Sequence, residues 1–429
     1  AGSARGGSMG RALSIILVDD DAETGAEALA DLSAMGMTVR RTPLSRLDEE
    51  LAADPPDAVV AFTEIEAGTG AAPHLSVGVR DPRAGAFLKT PAHAIQIAAR
   101  VRALVRLSVL EDMARLRSSD VGAAGVNAGP AQIGPEDSTV LFVGAPCPAF
   151  MRLQHAMAGA RVETIAAFST FTAFDYLHER AFDAVILNAD PDPDLAHTVC
   201  SAMRRNTRLY HTPAILLTRG EGYAKAEEAF ARGASDVLSG DASEAEMRER
   251  ITAMGMERRR RRRAKATLEA CRAASLLDAR SDLYGAAFGH RHCETLLLDR
   301  RQTGRRLTLV ALTAHAPVDA GPERAGQALD QFAAMLRHCV RAEDLAVRQS
   351  PGEFYLALPN TPAEDARLVA DRICAIAECT AYEGSDPGRA FRLTLASHVI
   401  EPDPDALASQ AIESALAPTR APGLFAAYA

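Results

Sequence analysis

The chain has 429 residues, 48% apolar and 24% charged, with 30 Gly and 23 Pro; this usage excludes collagen-like and wholly disordered classes, and the length predicts roughly two to four domains. The net charge of −9 means that the molecule as a whole repels polyphosphate, so general nucleic-acid binding is not expected without a local basic patch. Seven scattered cysteines without a Cys-x-x-Cys pair indicate neither a disulfide framework nor a zinc ribbon, and no apolar run reaches the roughly 18–20 residues of a membrane span. The expectation is a soluble cytoplasmic protein with no metal ligand set and no cofactor.

Residues 1–8 read as a vector-derived remnant ahead of Met9 and stand outside the fold reading. Residues 9–120 open on Leu13 to Val18, a short apolar run of buried-strand length, followed by Asp19, Asp20 and Asp21 and an alanine-rich helical stretch. Asp57 to Phe62 is a second buried strand, and Ala94 to Leu107 has apolar residues at helical spacing. Alternating strands and helices predict a parallel, doubly wound sheet. Residues 121–137, rich in Gly, Ala and Pro without a period, predict a linker.

Residues 138–255 repeat the first block. Thr139 to Val143 answers Ile15 to Val18, Phe182 to Asn188 answers Pro56 to Phe62, and Ala214 to Leu217 adds a further strand. Helix formers run from Glu244 toward Leu277, and residues 256–280 read as a stalk helix containing six arginines, Arg258 to Arg263. Six helical residues make more than one and a half turns, so these charges surround the axis and predict a solvated stalk with alkyl stems on a neighbour rather than a phosphate clamp. His290, His292 and Cys293 lack a further cluster to complete four metal ligands and read as surface or packing residues.

Residues 281–429 change pattern. Leu307 to Leu312 is a strand, Ala328 to Val340 a helix, Leu345 to Arg348 and Phe354 to Leu358 a hairpin, Ala363 to Ala377 a helix and Phe391 to Ser397 a strand, giving a split β-α-β-β-α-β plan. Arg341-Ala-Glu-Asp344, five residues, then Ser350-Pro-Gly-Glu-Phe354 has the R-x-x-D and hairpin spacing of GGDEF domains, the fold of diguanylate cyclases. On these residues the last block resembles a GGDEF domain, the duplicated blocks resemble response-regulator receiver domains, and the whole resembles the PleD-like receiver-receiver-GGDEF response regulators. The implied fold class is α/β, with two doubly wound flavodoxin-like receiver domains and a nucleotidyl-cyclase-like GGDEF domain.

The resemblance also implies functional residues, and several of them are missing. A GGDEF cyclase needs two carboxylates to hold Mg²⁺; they align with Thr313 and Gly352, which supply no anionic oxygen. The hairpin glycines become Ser350 and Pro351, and only Glu353 and Phe354 remain. The guanine-reading Asp and Asn fall on Gly326 and Phe288, and the two C-terminal phosphate-binding cations on Arg420 and Leu424. By contrast, R-x-x-D is the family's product-inhibition site, and its residues Arg341 and Asp344, with Arg372 on the following helix, are present. An arginine fork can donate to guanine O6 and N7 or to phosphate, and a carboxylate can accept from the guanine N1–H and N2–H₂ edge.

The receivers are depleted as well. In the first, Asp19, Asp20 and Lys89 match, but Phe62, or Thr63 one residue on, stands where the phosphorylated aspartate should be; in the second, Asn188 takes that place, Gly144 and Ala145 replace the acidic pair, and Thr218 remains. The implied function is a non-catalytic cyclic di-GMP receptor and signalling scaffold, homodimeric through its receivers. It would be recruited to a cell pole and act with protein partners such as adaptors of regulated proteolysis. The alternatives are an active cyclase with unconventional metal ligands and an interaction module indifferent to nucleotides.

Overall fold

A computed structural model describes residues 13–20, 24–65, 68–70, 72–81, 83–126, 138–190, 192–220, 223–382 and 390–420. Residues 1–8 and Asp21, and residues 127–137 of the expected linker, lie outside them. The described residues of 13–108 and 133–263 form one compact unit, and those of 109–132 and 264–429 form a second. Among the described residues no helix is long and apolar enough to cross a membrane.

The first unit holds two parallel sheets. One contains β1 (Ser14–Val18), β2 (Thr38–Thr42), β3 (Ala58–Ala61), β4 (His74–Val77) and β5 (Ala86–Leu88) in the order β2-β1-β3-β4-β5. The other contains β6 (Ser138–Val143), β7 (Val162–Ala167), β8 (Ala184–Asn188), β9 (Ala214–Thr218) and β10 (Asp236–Ser239) in the order β10-β9-β8-β6-β7. Read from the other edge this is the same flavodoxin-like order, and all neighbours in both sheets are parallel. β1 and β3 are buried throughout, which is why their sequences are continuously apolar instead of alternating.

Helices α1 (Thr24–Ala34), α2 (Leu47–Ala53) and α3 (Ala94–Ala123) accompany the first sheet, with no described helix between β3 and β4 or between β4 and β5. α4 (Pro148–Ala158), α5 (Thr170–Glu179), α6 (Pro193–Arg205), α7 (Ala226–Ala231) and α8 (Glu244–Ala270) accompany the second. The Ser169 hydroxyl caps α5 through the Thr172 N–H at 3.1 Å, and Asp192 caps α6 through the Leu195 N–H at 3.1 Å, with Pro193 opening the first turn.

Two boundaries differ from the sequence reading. α3 does not stop at Leu107 but continues for 30 residues in all, into the segment read as linker, because Leu, Ala, Arg, Glu and Met keep helix propensity high up to Gly122. α8 ends at Ala270, and a short 3₁₀ turn, Ala274–Leu276, takes the place of its expected last turns.

The second unit is built on β11 (Tyr284–Gly285), β12 (Leu307–His315), β13 (Leu345–Ser350), β14 (Glu353–Pro359) and β15 (Thr394–Ile400), ordered β11-β13-β14-β12-β15. β12 runs antiparallel to both β14 and β15, and β13 and β14 form the expected hairpin. α10 (Pro322–Cys339) and α11 (Ala363–Cys379) complete the split β-α-β-β-α-β plan, joined by α9 (Ala286–Thr303) and α12 (Ala408–Leu416), which the sequence reading leaves unassigned. α9 buries Phe288, Gly289, His292, Cys293, Leu296 and Leu297, a helical stripe whose Gly, His and Cys hide its apolar period. Gly289 is needed there, since a Cβ would lie 2.6 Å from a Val347 methyl and 2.5 Å from the Tyr355 hydroxyl.

Candidate functional site

The end of β12 and the tip of the β13–β14 hairpin enclose a cleft of ≈ 440 Å³ lined by Thr313, His315, Leu329, Gly352, Glu353 and Arg420, among others. Thr313 pairs with Glu353 across the sheet, but its buried hydroxyl is held by the Thr419 hydroxyl at 2.6 Å. A Cβ at Gly352 would sit 2.8 Å from the Ala314 carbonyl oxygen, so the backbone itself leaves no room for a side chain. Glu353, the one acid in the cleft lining, is clamped by Arg420 through Nε at 2.5 Å and Nη2 at 3.1 Å and accepts from the Ser350 hydroxyl at 3.1 Å. The Arg420 fork holds the Glu353 carboxyl below its usual range, and burial lowers the nearby His315.

Glu353 and Arg420 therefore neutralise each other, and the cleft lining offers no second carboxylate to make a Mg²⁺ pair. No group of three or more His, Cys, Asp or Glu among the described residues could hold a metal ion. Phe288, which the resemblance aligns with an Asn, is buried and stacked on Tyr284 with ring centroids 4.8 Å apart, which is a core role. Arg348, which the sequence reading passes over, is buried beside the tip of the hairpin and donates to Asp330 at 2.8 Å, Asp278 at 3.1 Å and the Pro351 carbonyl at 3.0 Å. Leu424 lies outside the described residues.

The Arg341 turn lies between α10 and β13. Arg341 is exposed, and its guanidinium has no hydrogen bond or ion pair among the described residues. Arg372 on α11 is also exposed and donates to the Cys339 carbonyl at 2.8 Å, so the fold brings it beside the residues that lead into Arg341. Asp344 is buried: one carboxylate oxygen accepts from the Arg341 backbone N–H at 2.7 Å, and the other has no partner. Burial, reinforced by the charge of Glu343, pushes its pKa up to about 7.

The turn has a support that sequence reasoning missed. Arg117 of α3 is 2% exposed and donates to the carbonyls of Ala342 at 3.1 Å, Glu343 at 2.7 Å and Asp344 at 3.2 Å. One signal for it existed. Leu110, Met113, Ala114 and Val121 form a buried stripe on α3, and Arg117 interrupts that stripe at a position where an apolar residue is the default.

In the first receiver-like sheet the acidic pair is tied up locally. Asp19 is buried and accepts from Arg41 at 3.2 Å, and Asp20 accepts from the Leu44 N–H at 3.0 Å. Lys89 points its amine at both carboxylate oxygens of Glu246, each 3.3 Å away, and Phe62 follows β3 half-buried. In the second sheet Asn188 bridges the Ala145 carbonyl, at 2.9 Å, and the Asp190 N–H, at 3.1 Å. Gly144 adopts φ +126, and a Cβ there would meet the Asn188 Cβ at 2.7 Å. Thr218 is buried, 3.4 Å from the Leu238 carbonyl.

The arginine run departs from the expectation of a solvated stalk. Arg258 donates to the Thr212 hydroxyl, Arg259 grips Asp183 at 2.6 and 3.0 Å, and Arg261 reaches the Ala103 carbonyl at 3.5 Å. Much of the run is spent inside its own unit because this stretch of α8 lies against neighbouring elements of that unit instead of standing free. His292 is wholly buried, His290 bonds Gln349 at 3.0 Å, and neither belongs to a group that could hold a metal ion among the described residues.

The fold class is thus α/β, two flavodoxin-like parallel sheets and one mixed sheet of the split β-α-β-β-α-β kind. No protein-family model matches the chain, and no curated protein matches it. Among solved structures it is similar to the GGDEF domain of DgcB from Caulobacter crescentus, in complex with c-di-GMP, at 15% identity over 34% of this chain and 85% of that one, with a TM-score of 0.32. It is also similar to a putative response regulator from Chloroflexus aurantiacus at 23% identity over 28% and 99% of the two chains, TM-score 0.27. The chemotaxis response regulator CheY4 of Vibrio cholerae matches at 19% identity over 28% and 99%, TM-score 0.26.

Proposed function

We propose that this chain is a non-catalytic cyclic di-GMP receptor of the receiver-receiver-GGDEF type, binding its ligand through Arg341, Asp344 and Arg372. The observation that carries this reading is the contrast between two sets of charges in one unit. At the hairpin cleft Glu353 and Arg420 are consumed by each other, whereas at the turn Arg341 is exposed with an unengaged fork and Arg372 is held next to it by the Cys339 carbonyl. Arginine forks of this kind recognise guanine O6 and N7 or phosphate oxygens. Once ionised, above its pKa of about 7, Asp344 offers its unpartnered oxygen as a buried acceptor that a guanine N1–H or N2–H₂ would satisfy, removing the cost of leaving it unpaired.

The depleted phosphorylation sites make the two flavodoxin-like sheets packing and dimerisation modules in this proposal. The combination of a lost synthesis site with a kept product site resembles PopA, and that likeness supports ligand-dependent recruitment to a cell pole and adaptor partners of regulated proteolysis. Binding does work only if it favours one of two conformations or surfaces, so cyclic di-GMP should alter domain packing or dimer geometry.

Titration calorimetry with cyclic di-GMP tests the site. The wild-type chain should bind, and Arg341→Ala should lose at least about tenfold in affinity, as expected when a charge-assisted fork is removed; equal affinity in both would remove Arg341 from the site. Incubation with GTP and Mg²⁺ or Mn²⁺ should yield no cyclic di-GMP, and steady turnover would overturn the non-enzyme reading.

A further inference from the structure

The Arg341 turn does not hold itself in place. Three successive carbonyls, those of Ala342, Glu343 and Asp344, converge on the single guanidinium of Arg117. Its Nε–H is used too, donated to His292 Nε2 at 3.3 Å, and the Tyr284 ring lies under the guanidinium carbon at 5.6 Å. A planar fork with fixed donor directions can meet three carbonyls only in one arrangement of the backbone that carries them. That arrangement fixes the dihedrals through 342–344 and hence the direction in which Arg341 leaves the turn.

Arg117 is in turn supported from behind. His292 Nδ1 lies 2.6 Å from Asp120 Oδ2, and the other Asp120 oxygen accepts from the Thr295 hydroxyl at 3.0 Å. Burial drives the His292 pKa down to about 4, so the ring is neutral near pH 7. Its one proton then sits on Nδ1, facing the Asp120 carboxylate, and Nε2 is left as the acceptor that Arg117 requires. Asp120, His292 and Arg117 form a line of polar contacts ending at the turn.

We propose, resting on the reading of this turn as a cyclic di-GMP site, that Arg117 is its positioning residue: it touches no ligand but sets the backbone from which Arg341 and Asp344 reach one, with His292 and Asp120 fixing its orientation. The need for such a residue follows from the turn itself, where Asp344 caps the Arg341 N–H with one oxygen and leaves the other unpaired.

The full chain is compared as wild type, Arg117→Met, Arg117→Lys, Asp120→Ala and Arg341→Ala, with two readouts. Without ligand, amide hydrogen exchange at 341–345 should quicken by about tenfold in Arg117→Met and less in Arg117→Lys, which keeps a charge and three donors. With ligand, calorimetry should show Arg117→Met losing about tenfold in affinity, Arg117→Lys recovering part of it, and Arg117→Met adding little in an Arg341→Ala background, as coupled residues do. Asp120→Ala, a change at the partly exposed end of the line, should lose about threefold and serves if Arg117→Met fails to fold.

Unchanged exchange in a folded Arg117→Met chain overturns the assignment. So does quickened exchange with wild-type affinity, or a loss fully additive with Arg341→Ala. A wild-type chain that ignores cyclic di-GMP sinks the ligand reading instead, and exchange then still decides whether Arg117 holds the turn.

Discussion

A carboxyl group walled off from water keeps its proton, and Asp344 keeps its own up to about pH 7. The unfolded chain releases that proton near pH 4. The folded form therefore holds the extra proton between those values, and the stability this group contributes is present below about pH 4 and is lost as pH rises toward 7, with a slope of up to about 1.4 kcal/mol per unit. His292 has the opposite sign: its folded pKa near 4 lies below the ordinary histidine value, so its contribution is present above about pH 6.5 and is lost as pH falls toward 4. The two slopes oppose each other, and the total pH profile hides both. Asp344→Asn preserves the acceptor for the Arg341 N–H without the titration. The gap in thermal midpoint between wild type and Asp344→Asn should therefore move in the mutant's favour from pH 5 to pH 8; a gap independent of pH would show that Asp344 ionises normally.

Among the elements, the second half of α3 has the clearest packing role in its unit. Leu110 and Ala114 pack with Ala264 and Leu268 in a small buried cluster that places Arg117 one turn further along the same helix. Leu268→Ala should destabilise this unit by about 2–5 kcal/mol, the usual cost of a buried leucine truncation, read as an earlier denaturant midpoint; a shift within error would mean that the contact is loose. The sequence made the strands legible because runs such as Ile15 to Val18 and Ala184 to Leu187 are buried on both faces and carry no polar residues. The hairpin and the Arg341 turn were legible through spacing, since five residues separate Asp344 from Ser350 in one continuous stretch. α9 was not, because its buried stripe is written in Gly, His and Cys. Nor was the reach of α3, whose last turns, with Ser118, Ser119, Asp120 and Gly122, run without a clear stop into the Gly-, Ala- and Pro-rich segment read as a linker. Arg117 lay beyond any local pattern: its partners come from a distant part of the chain, and only the break it makes in an apolar stripe hints at burial.

For the molecule as a whole, both parallel sheets are, in the proposed reading, units that accept no phosphate, and local pairings support it. Glu246 occupies Lys89 and Arg41 occupies Asp19, while Asn188 stands against Gly144. Incubation with acetyl phosphate and Mg²⁺ should leave the intact mass of the chain unchanged, and a stable phosphoryl adduct on either sheet would contradict the packing role given to them. Residues 109–126 belong to the same compact unit as 264–420, although the whole second parallel sheet intervenes in sequence. A gene cut after that sheet would strand the C-terminal piece without the guanidinium that ties down its turn. What looks on paper like three interchangeable cassettes is interleaved, so such a protein can be shuffled or trimmed only by accepting an incomplete fold.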